Sequence, residues 1–505
     1  MTNASAPSGE RTVLGHPAGL FVLFFAELWE RFCYYGMRAL LALYIAQQFF
    51  PGMKAEEGQE AASATYGGFT ALVYALGIFG GSIADRVLGY RRTIVLGGLF
   101  MAAGEFMLMV PEGSYGGFDQ RQLFFFGLSL LIVGNGMFKP NISTIVGKLY
   151  KQGDPRRDGG FTIFYMGINV GAAIAPICCQ AVSAWGGSYR YGFMLAGAGM
   201  LLGIVCFSLG GGLLQGQGLP PKGKEGFGPM LMVTLGGLIV GPAIYQLLTL
   251  SEDAVGYVLY ASFAAILVFL GVIATREERI GKERMFVLLI LLLLNCVFWM
   301  GFEQAGNSLN FFAKKQLHAL TVGDWSMPAE WWQSVNAVFI VLLGPVFAAM
   351  WVMLDKKGMN PRIPTKFGFG FLGMGLGFVV INQGIAGADA AGMVMWYFLL
   401  VLYFVHTLGE LCLSPVGLSM VTKLAPERMT GMVMGAWFIS IATGNFLAGK
   451  VSSLAAAEAG RATEALGKVQ AYGHVFSYVA YIGVGLGIVV ILLGRVLDRW
   501  MHGVK

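Results

Sequence analysis

The sequence predicts an all-α polytopic membrane protein. It should have fourteen transmembrane helices, arranged as two six-helix bundles plus an extra two-helix hairpin between them. Three observations predict this. Of 505 residues, 56% are hydrophobic and only 12% are charged, whereas a soluble domain carries about 25% charge. The apolar residues fall into long runs separated by short, basic loops. A loop motif in the first half has a counterpart in the second half.

Taken in order, the apolar runs centre near Arg31, Tyr74, Gly98, Gly134, Gly171, Gly203, Ile239, Ala264, Trp299, Ile340, Leu376, Phe404, Phe438 and Gly485. Each is long enough to cross a bilayer as a helix. The segment Met1–Pro17 is polar and lacks the short apolar core and cleavage site of a secretory leader. The first apolar run is therefore expected to remain in the membrane.

Orientation follows from the basic residues, which concentrate in cytoplasmic loops. With the N-terminus inside, alternate loops hold Arg86/Arg91/Arg92, Lys148/Lys151/Arg156/Arg157, Lys222/Lys224, Arg276/Arg279/Lys282/Arg284, Lys356/Lys357/Arg362/Lys366, Lys423/Arg428 and Arg495/Arg499/Lys505. With Arg11, that places 23 basic residues inside against 8 outside, leaving Arg31, Arg38 and Lys139 within spans. Both termini are expected in the cytoplasm. The net charge of +6 is spread over these loops, so it reads as membrane topology and not as a nucleic-acid surface.

The organisation expected is a cytoplasmic tail at 1–17, a first bundle at 18–215, a linker with the extra hairpin at 216–283, a second bundle at 284–500 and a tail at 501–505. The hairpin spans, near 227–250 and 253–275, carry no Lys, Arg or Glu at mid-depth and read as peripheral. All six cysteines (Cys33, Cys178, Cys179, Cys206, Cys296, Cys412) lie inside spans, without zinc-type spacing. Neither a metal site nor a disulfide framework is expected.

The chemistry sits on charges inside the spans. Ionisable residues at membrane depth cost roughly 2.5–3.5 kcal/mol each on insertion scales and usually line a polar cavity or an ion path. In the first run, Glu27, Glu30, Arg31, Tyr34 and Arg38 fall on one helical face. Leu28, Phe32, Cys33, Leu40 and Leu43 occupy the other side and can meet lipid or other helices. Lys139 precedes Pro140, which should free a backbone carbonyl toward a cavity. Glu303 follows Trp299 by four residues, and Glu410 precedes Ser414 by four. Asn169 and Asn336 add polar groups, and Tyr74 and Trp437 add aromatic walls.

The loop Gly81-Ser-Ile-Ala-Asp85-Arg86-Val-Leu-Gly89-Tyr-Arg91-Arg92 joins the second and third spans. Asp355-Lys356-Lys357-Gly358 sits in the matching loop 270 residues on. Gly81 is expected to allow close helix approach. Asp85, with Arg86, is expected to act as a conformational latch by capping a helix or pairing with a basic residue. This pattern resembles the loop signature of the major facilitator superfamily, a fold built from two six-helix halves.

A narrower resemblance rests on three motifs in order: Glu27-x-x-Glu30-Arg31, Phe164-Tyr165-Met166-Gly167-Ile168-Asn169-Val170-Gly171 and Gly409-Glu410-Leu411-Cys412-Leu413-Ser414-Pro415-Val416-Gly417. Together they resemble the proton-dependent oligopeptide transporter family, of the bacterial type. The extra hairpin is similar to that of bacterial members, and the loop near Gly387-Ala-Asp389 is short where animal members carry a large extracellular domain.

The resemblance implies a proton-coupled symporter importing di- and tripeptides, with the proton as coupling ion and no other cofactor. It implies that Arg31, Arg38 and Lys139 receive the peptide carboxylate and Glu410 the amino group. Asn169 and Asn336 would bond the peptide backbone, and Tyr34, Tyr35, Tyr74, Trp299, Trp437 and Ser414 would line the site. Glu27, Glu30, Arg31 and Glu303 are the proton-coupling candidates. The expected pairings are Glu303 with Arg38 and, in the empty protein, Glu410 with Lys139. The implied setting is a bacterial inner membrane and a functional monomer.

Blander readings stand beside these. Glu27 and Arg31 can pair locally as a structural i,i+4 couple. Asn169 and Asn336 can simply bridge helices, Ser414 can bond its own helix, and the aromatic residues can be packing. His406 can titrate or be satisfied by its surroundings, and His318 should be solvated in an outer loop. A carrier of another anionic or zwitterionic solute is the alternative function. An enzyme is disfavoured, because no metal-ligand cluster or nucleophile–base pair is legible.

Overall fold

The computed structural model describes residues 11–50, 53–151, 154, 156–250, 254–426 and 429–504; the side chains at 78, 158, 250, 414–416, 418, 419, 421, 422 and 430 lie outside that description. Sixteen helices account for nearly all of it: α1 (Ala18–Gln48), α2 (Ala55–Ala75), α3 (Gly77–Ile83), α4 (Tyr90–Leu108), α5 (Gln120–Lys148), α6 (Arg157–Gly186), α7 (Tyr189–Leu209), α8 (Phe227–Leu250), α9 (Ala254–Arg276), α10 (Arg279–Phe302), α11 (Ser308–Lys315), α12 (Trp332–Lys356), α13 (Ile363–Ala386), α14 (Trp396–Leu424), α15 (Thr430–Arg461) and α16 (Ala465–Trp500).

Twelve helical segments are long and apolar enough to cross a membrane. The 31-residue α1 and 19-residue α4 are also long enough. Their charges, Glu27, Glu30, Arg31 and Arg38 in one and Arg91, Arg92 and Glu105 in the other, exceed what a purely apolar window tolerates. With them the count is fourteen, and every centre read from the sequence falls inside one of these helices.

The chain divides into two compact units. The first comprises Met1–Met37 and Leu76–Gln246, and the second Arg38–Ala75 and Leu247–Lys505. The helix α1 therefore changes unit between its two arginines. Within the first unit, α4 packs on α5 and α7, and α6 on α7. Within the second, α13 packs on α16 and α14, and α15 on α2 and α10. The two helices of the extra hairpin also divide. Gly237 of α8 lies against Phe100 and Val133, whereas Tyr260 of α9 meets Phe446 edge-on at 5.7 Å. Both are peripheral, since 17% and 22% of their apolar windows are buried against 78% for α5.

Backbone contact between helices is made by glycine. Gly97 and Gly104 of α4 oppose Gly134 and Gly127 of α5, and Gly375 of α13 opposes Gly483 of α16. A Cβ at any of these six would strike backbone or side-chain atoms closer than 3.0 Å. Small residues let helices meet where lipid offers no competing advantage.

Three sequence expectations change here. First, Gly81 is not the close-approach residue, because a Cβ on it would meet nothing within 4 Å. Its neighbour Gly80 packs on the Gly136 carbonyl of α5. Second, that carbonyl, four residues before Pro140, is the acceptor the proline leaves free. It is taken up by packing against α3 and does not open toward a cavity. Asn141 completes the contact by donating to the Gly80 carbonyl at 3.1 Å and the Met137 carbonyl at 2.7 Å. Third, Asp85 accepts its hydrogen bond from the Tyr90 hydroxyl and not from a basic residue or a helix N-terminus. The loop is tied instead to the linker that follows α7. Arg91 Nε donates to the Gln217 carbonyl at 2.6 Å, Arg92 Nη1 to the Gly226 carbonyl at 3.0 Å, and Lys224 Nζ to the Arg86 carbonyl at 2.6 Å. Gly89, at φ +74°, faces the Leu219–Pro220 backbone, where a side chain would be both strained and obstructed.

The loops around His318 and Asp389 in the second unit are also tied together. The His318 side chain is exposed, as expected; its ring pairs with Asp389 at 2.8 Å, and its backbone N–H donates to the Val394 carbonyl. The Met393 N–H, with the His318 ring, holds the Asp389 carboxyl below the usual carboxylate range.

Gly80 and Gly81 make a direct test of helix contact. Gly80→Ala should cost about 1–3 kcal/mol through overpacking, seen as a lower unfolding midpoint in detergent. Gly81→Ala should leave the midpoint in place. Equal effects would contradict the placement of α3 on α5.

Candidate functional site

The charged face of α1 is built as its spacing suggests. Glu27, Glu30 and Arg31 are 1%, 0% and 2% exposed. Arg31 Nη2 donates to Glu30 Oε1 at 2.6 Å, its Nε to Glu30 Oε2, and the same Nε lies 3.3 Å from Glu27 Oε1. The fork-like guanidinium suits this two-oxygen grip. The Tyr34 ring lies 5.4 Å from the guanidinium carbon and the Tyr35 ring 6.0 Å, within cation–π range. Glu30 Oε1 accepts a further bond from Asn135 of α5 at 2.8 Å. The other side of α1 meets protein and not lipid, for Leu28, Phe32, Cys33, Leu40 and Leu43 are all buried.

Seven residues on, in the second unit, Arg38 Nη2 pairs with Glu303 Oε2 at 2.5 Å. This is the pairing expected from the sequence. Arg38 Nε donates to the Tyr66 hydroxyl of α2 at 2.6 Å. Glu303 begins a short turn, Glu303–Gly306, that ends α10. At Gly306 any side chain would collide with the Tyr66 hydroxyl and the Arg38 guanidinium. The missing Cβ makes room for the pair.

Glu410 of α14 is 8% exposed. Its Oε2 accepts from Asn336 Nδ2 of α12 at 3.0 Å, and the same nitrogen lies 3.0 Å from Thr407 Oγ1. Asn336 is thus committed to Glu410 in this state. Asn169 Nδ2 turns back to its own helix, donating to the Tyr165 carbonyl at 2.9 Å. Trp299 Nε1 donates to Asn295 Oδ1 at 3.0 Å, and Asn295 in turn donates to Ser440. Trp437 is buried against Gly417, while Tyr74 and Lys139 are half-buried. Ser414 lies on α14, with its side chain outside the described residues. His406 is buried with Nε2 on the Met374 carbonyl at 3.0 Å, a satisfied histidine. Among the described residues no cluster of three or more His, Cys, Asp or Glu could hold a metal.

The model of the POT family matches residues 91–470. The chain belongs to the POT family. Among related POT-family sequences, it is 37% identical to the peptide transporter YePEPT of Yersinia enterocolitica over 89% of this chain and 90% of that one. It is 32% identical to dipeptide and tripeptide permease B of Salmonella typhimurium over 99% of each. A crystal structure of the peptide transporter POT in complex with sulfate superposes with a TM-score of 0.81 at 34% identity, covering 98% of both chains. The POT-family chain is thus a polytopic transporter of the major facilitator type and not an enzyme.

Several buried polar residues were missed in the sequence. Asn135 lies four residues before Lys139, so periodicity could have placed it beside that lysine. Glu105, a lone acid in the apolar stretch Met101–Leu108, was detectable as an ionisable group at depth. Tyr66 and Thr407 carried no signal, because a hydroxyl in a span usually bonds its own helix or serves packing.

Tyr66→Phe removes the oxygen that accepts from Arg38 Nε. Leaving a buried charged donor short of a partner should cost about 1–3 kcal/mol, read as a lower unfolding midpoint. The penalty should disappear when Arg38 is already Met. An undiminished loss in that background would assign Tyr66 to packing.

Proposed function

We propose that the chain is a proton-coupled symporter that imports di- and tripeptides by alternating access. Membership of the POT family and the peptide permeases among its relatives support the substrate class. The observation that carries the coupling is the buried ion pair between Arg38 and Glu303. A carboxylate and a guanidinium neutralise one another away from water. A proton on Glu303 abolishes that match and frees Arg38. Glu27 and Glu30 are the other carboxyls on which the proton can reside, because both compete for Arg31.

In this reading Arg31, Arg38 and Lys139 receive the peptide carboxylate, and Glu410 receives the amino group after releasing Asn336. A zwitterion leaving water needs opposite charges at its two ends, and a guanidinium suits the carboxylate. Asn169 and Asn336 serve the peptide backbone. Tyr34, Tyr35, Tyr74, Trp299, Trp437 and Ser414 shape the room for side chains. The segments 18–215 and 284–500 are the moving halves, 216–283 is their linker with the added hairpin, and the loop of Asp85 and Arg86 takes part in the latch. The protein works as a monomer in a bacterial inner membrane, with both termini cytoplasmic and no cofactor besides the proton.

Uptake of labelled dipeptides into proteoliposomes tests this. An inward proton gradient should stimulate uptake, and Lys139→Ala should abolish the stimulated component. Uptake that no dipeptide in a chemically diverse set shows under a gradient would replace peptides with another anionic or zwitterionic solute. Wild-type accumulation by Lys139→Ala would remove the lysine from the carboxylate site.

A further inference from the structure

One ionisable group at membrane depth in the first unit has no part in the chemistry above. Glu105 of α4 is 0% exposed. Among the described residues its Oε1 accepts only a thiol hydrogen bond, from Cys33 Sγ of α1 at 3.5 Å. Its Oε2 has no hydrogen-bond partner among the described residues. On the α7 side, Gly197 leaves it no room, since a Cβ there would lie 3.0 Å from the Glu105 Cβ. Among the described residues, the titratable groups that act on this cluster are Cys33 and Glu30 of α1 and Cys178 and Cys179 of α6. None of them is a cation. The guanidinium of Arg31, on the same helix as Cys33, is gripped by Glu30 and Glu27.

A full negative charge in this place would face a thiol, a second thiol and another acid. Burial of an ionised carboxylate without a cation or strong donors is among the costliest arrangements in a protein interior. The neutral acid fits the same geometry. Its carbonyl oxygen is Oε1, accepting the weak S–H donor, and its hydroxyl oxygen is Oε2.

We propose that Glu105 is a resident proton-binding site of the first unit, separate from the Glu27/Glu30/Arg31 cluster. It holds one proton on Oε2 as a carboxylic acid whose carbonyl is marked by Cys33. The proton stays in place through the transport cycle and is not the one coupled to substrate.

Infrared spectra of the full chain in liposomes at neutral pH test the site. Wild type minus Glu105→Gln should show the carbonyl stretch of a protonated carboxylic acid. Ionised-carboxylate bands in that difference would overturn the proposal. Cys33→Ala provides a reading that does not depend on the Gln variant folding. Loss of the thiol donor should raise the frequency of the same carbonyl band, and an unmoved band would place the proton elsewhere. Glu105→Gln should leave the pH dependence of solute uptake unchanged. A shifted pH profile would mean that the proton exchanges during the cycle, which overturns its residence. The spectral arms do not involve peptide, so they stand or fall apart from the transport reading.

Discussion

Every polar or ionisable side chain inside the spans must find its counter-charge or hydrogen-bond partner inside the protein, because lipid offers none. That constraint organises the interior. Arg31 is matched by Glu30 and Glu27, and Arg38 by Glu303 with Tyr66 in support. Glu410 accepts from Asn336. The Arg38 and Glu410 arrangements draw partners from helices distant in sequence, so they also fix which helices meet. Glycines serve the same end. The short turn after α10 brings Glu303 to Arg38 because Gly306 presents no side chain to either Arg38 or Tyr66.

Such matching is stable but not permanent. An arginine–carboxylate pair out of water holds while both groups are charged and loses its basis when the carboxylate takes a proton. The same guanidinium can then meet another carboxylate. Chemistry of this kind converts proton binding into a choice between internal and external partners. A group with no cation partner among the described residues, such as Glu105, has no equivalent exchange to offer.

Much of this was legible in the sequence, and the limits have physical causes. The spans and their order follow from hydropathy, and each expected centre lies within a helix. The face of α1 follows from the 3.6-residue period, which places Glu27, Glu30, Arg31 and Arg38 together. Long-range partners are chosen by packing, and there the reading was mixed. Glu303 meets Arg38 as its charge suggests. Asp85 meets a phenol, Tyr90, five residues on; Arg91 and Arg92 donate to linker carbonyls, and Lys224 of the linker donates to the Arg86 carbonyl. Gly80 and Gly81 are identical in type and adjacent in sequence. Only the rotational position of α3 on α5 decides which one faces the carbonyl left free by Pro140.

If a proton switches the Arg38–Glu303 pair as proposed, Glu303→Gln separates coupling most directly from simple peptide binding. The measurement is peptide movement in proteoliposomes under two regimes: exchange against preloaded peptide at equal pH, and net accumulation driven by an inward proton gradient. The account predicts that Glu303→Gln retains exchange and loses gradient-driven accumulation. Accumulation at the wild-type level would contradict it and would remove Glu303 from the coupling.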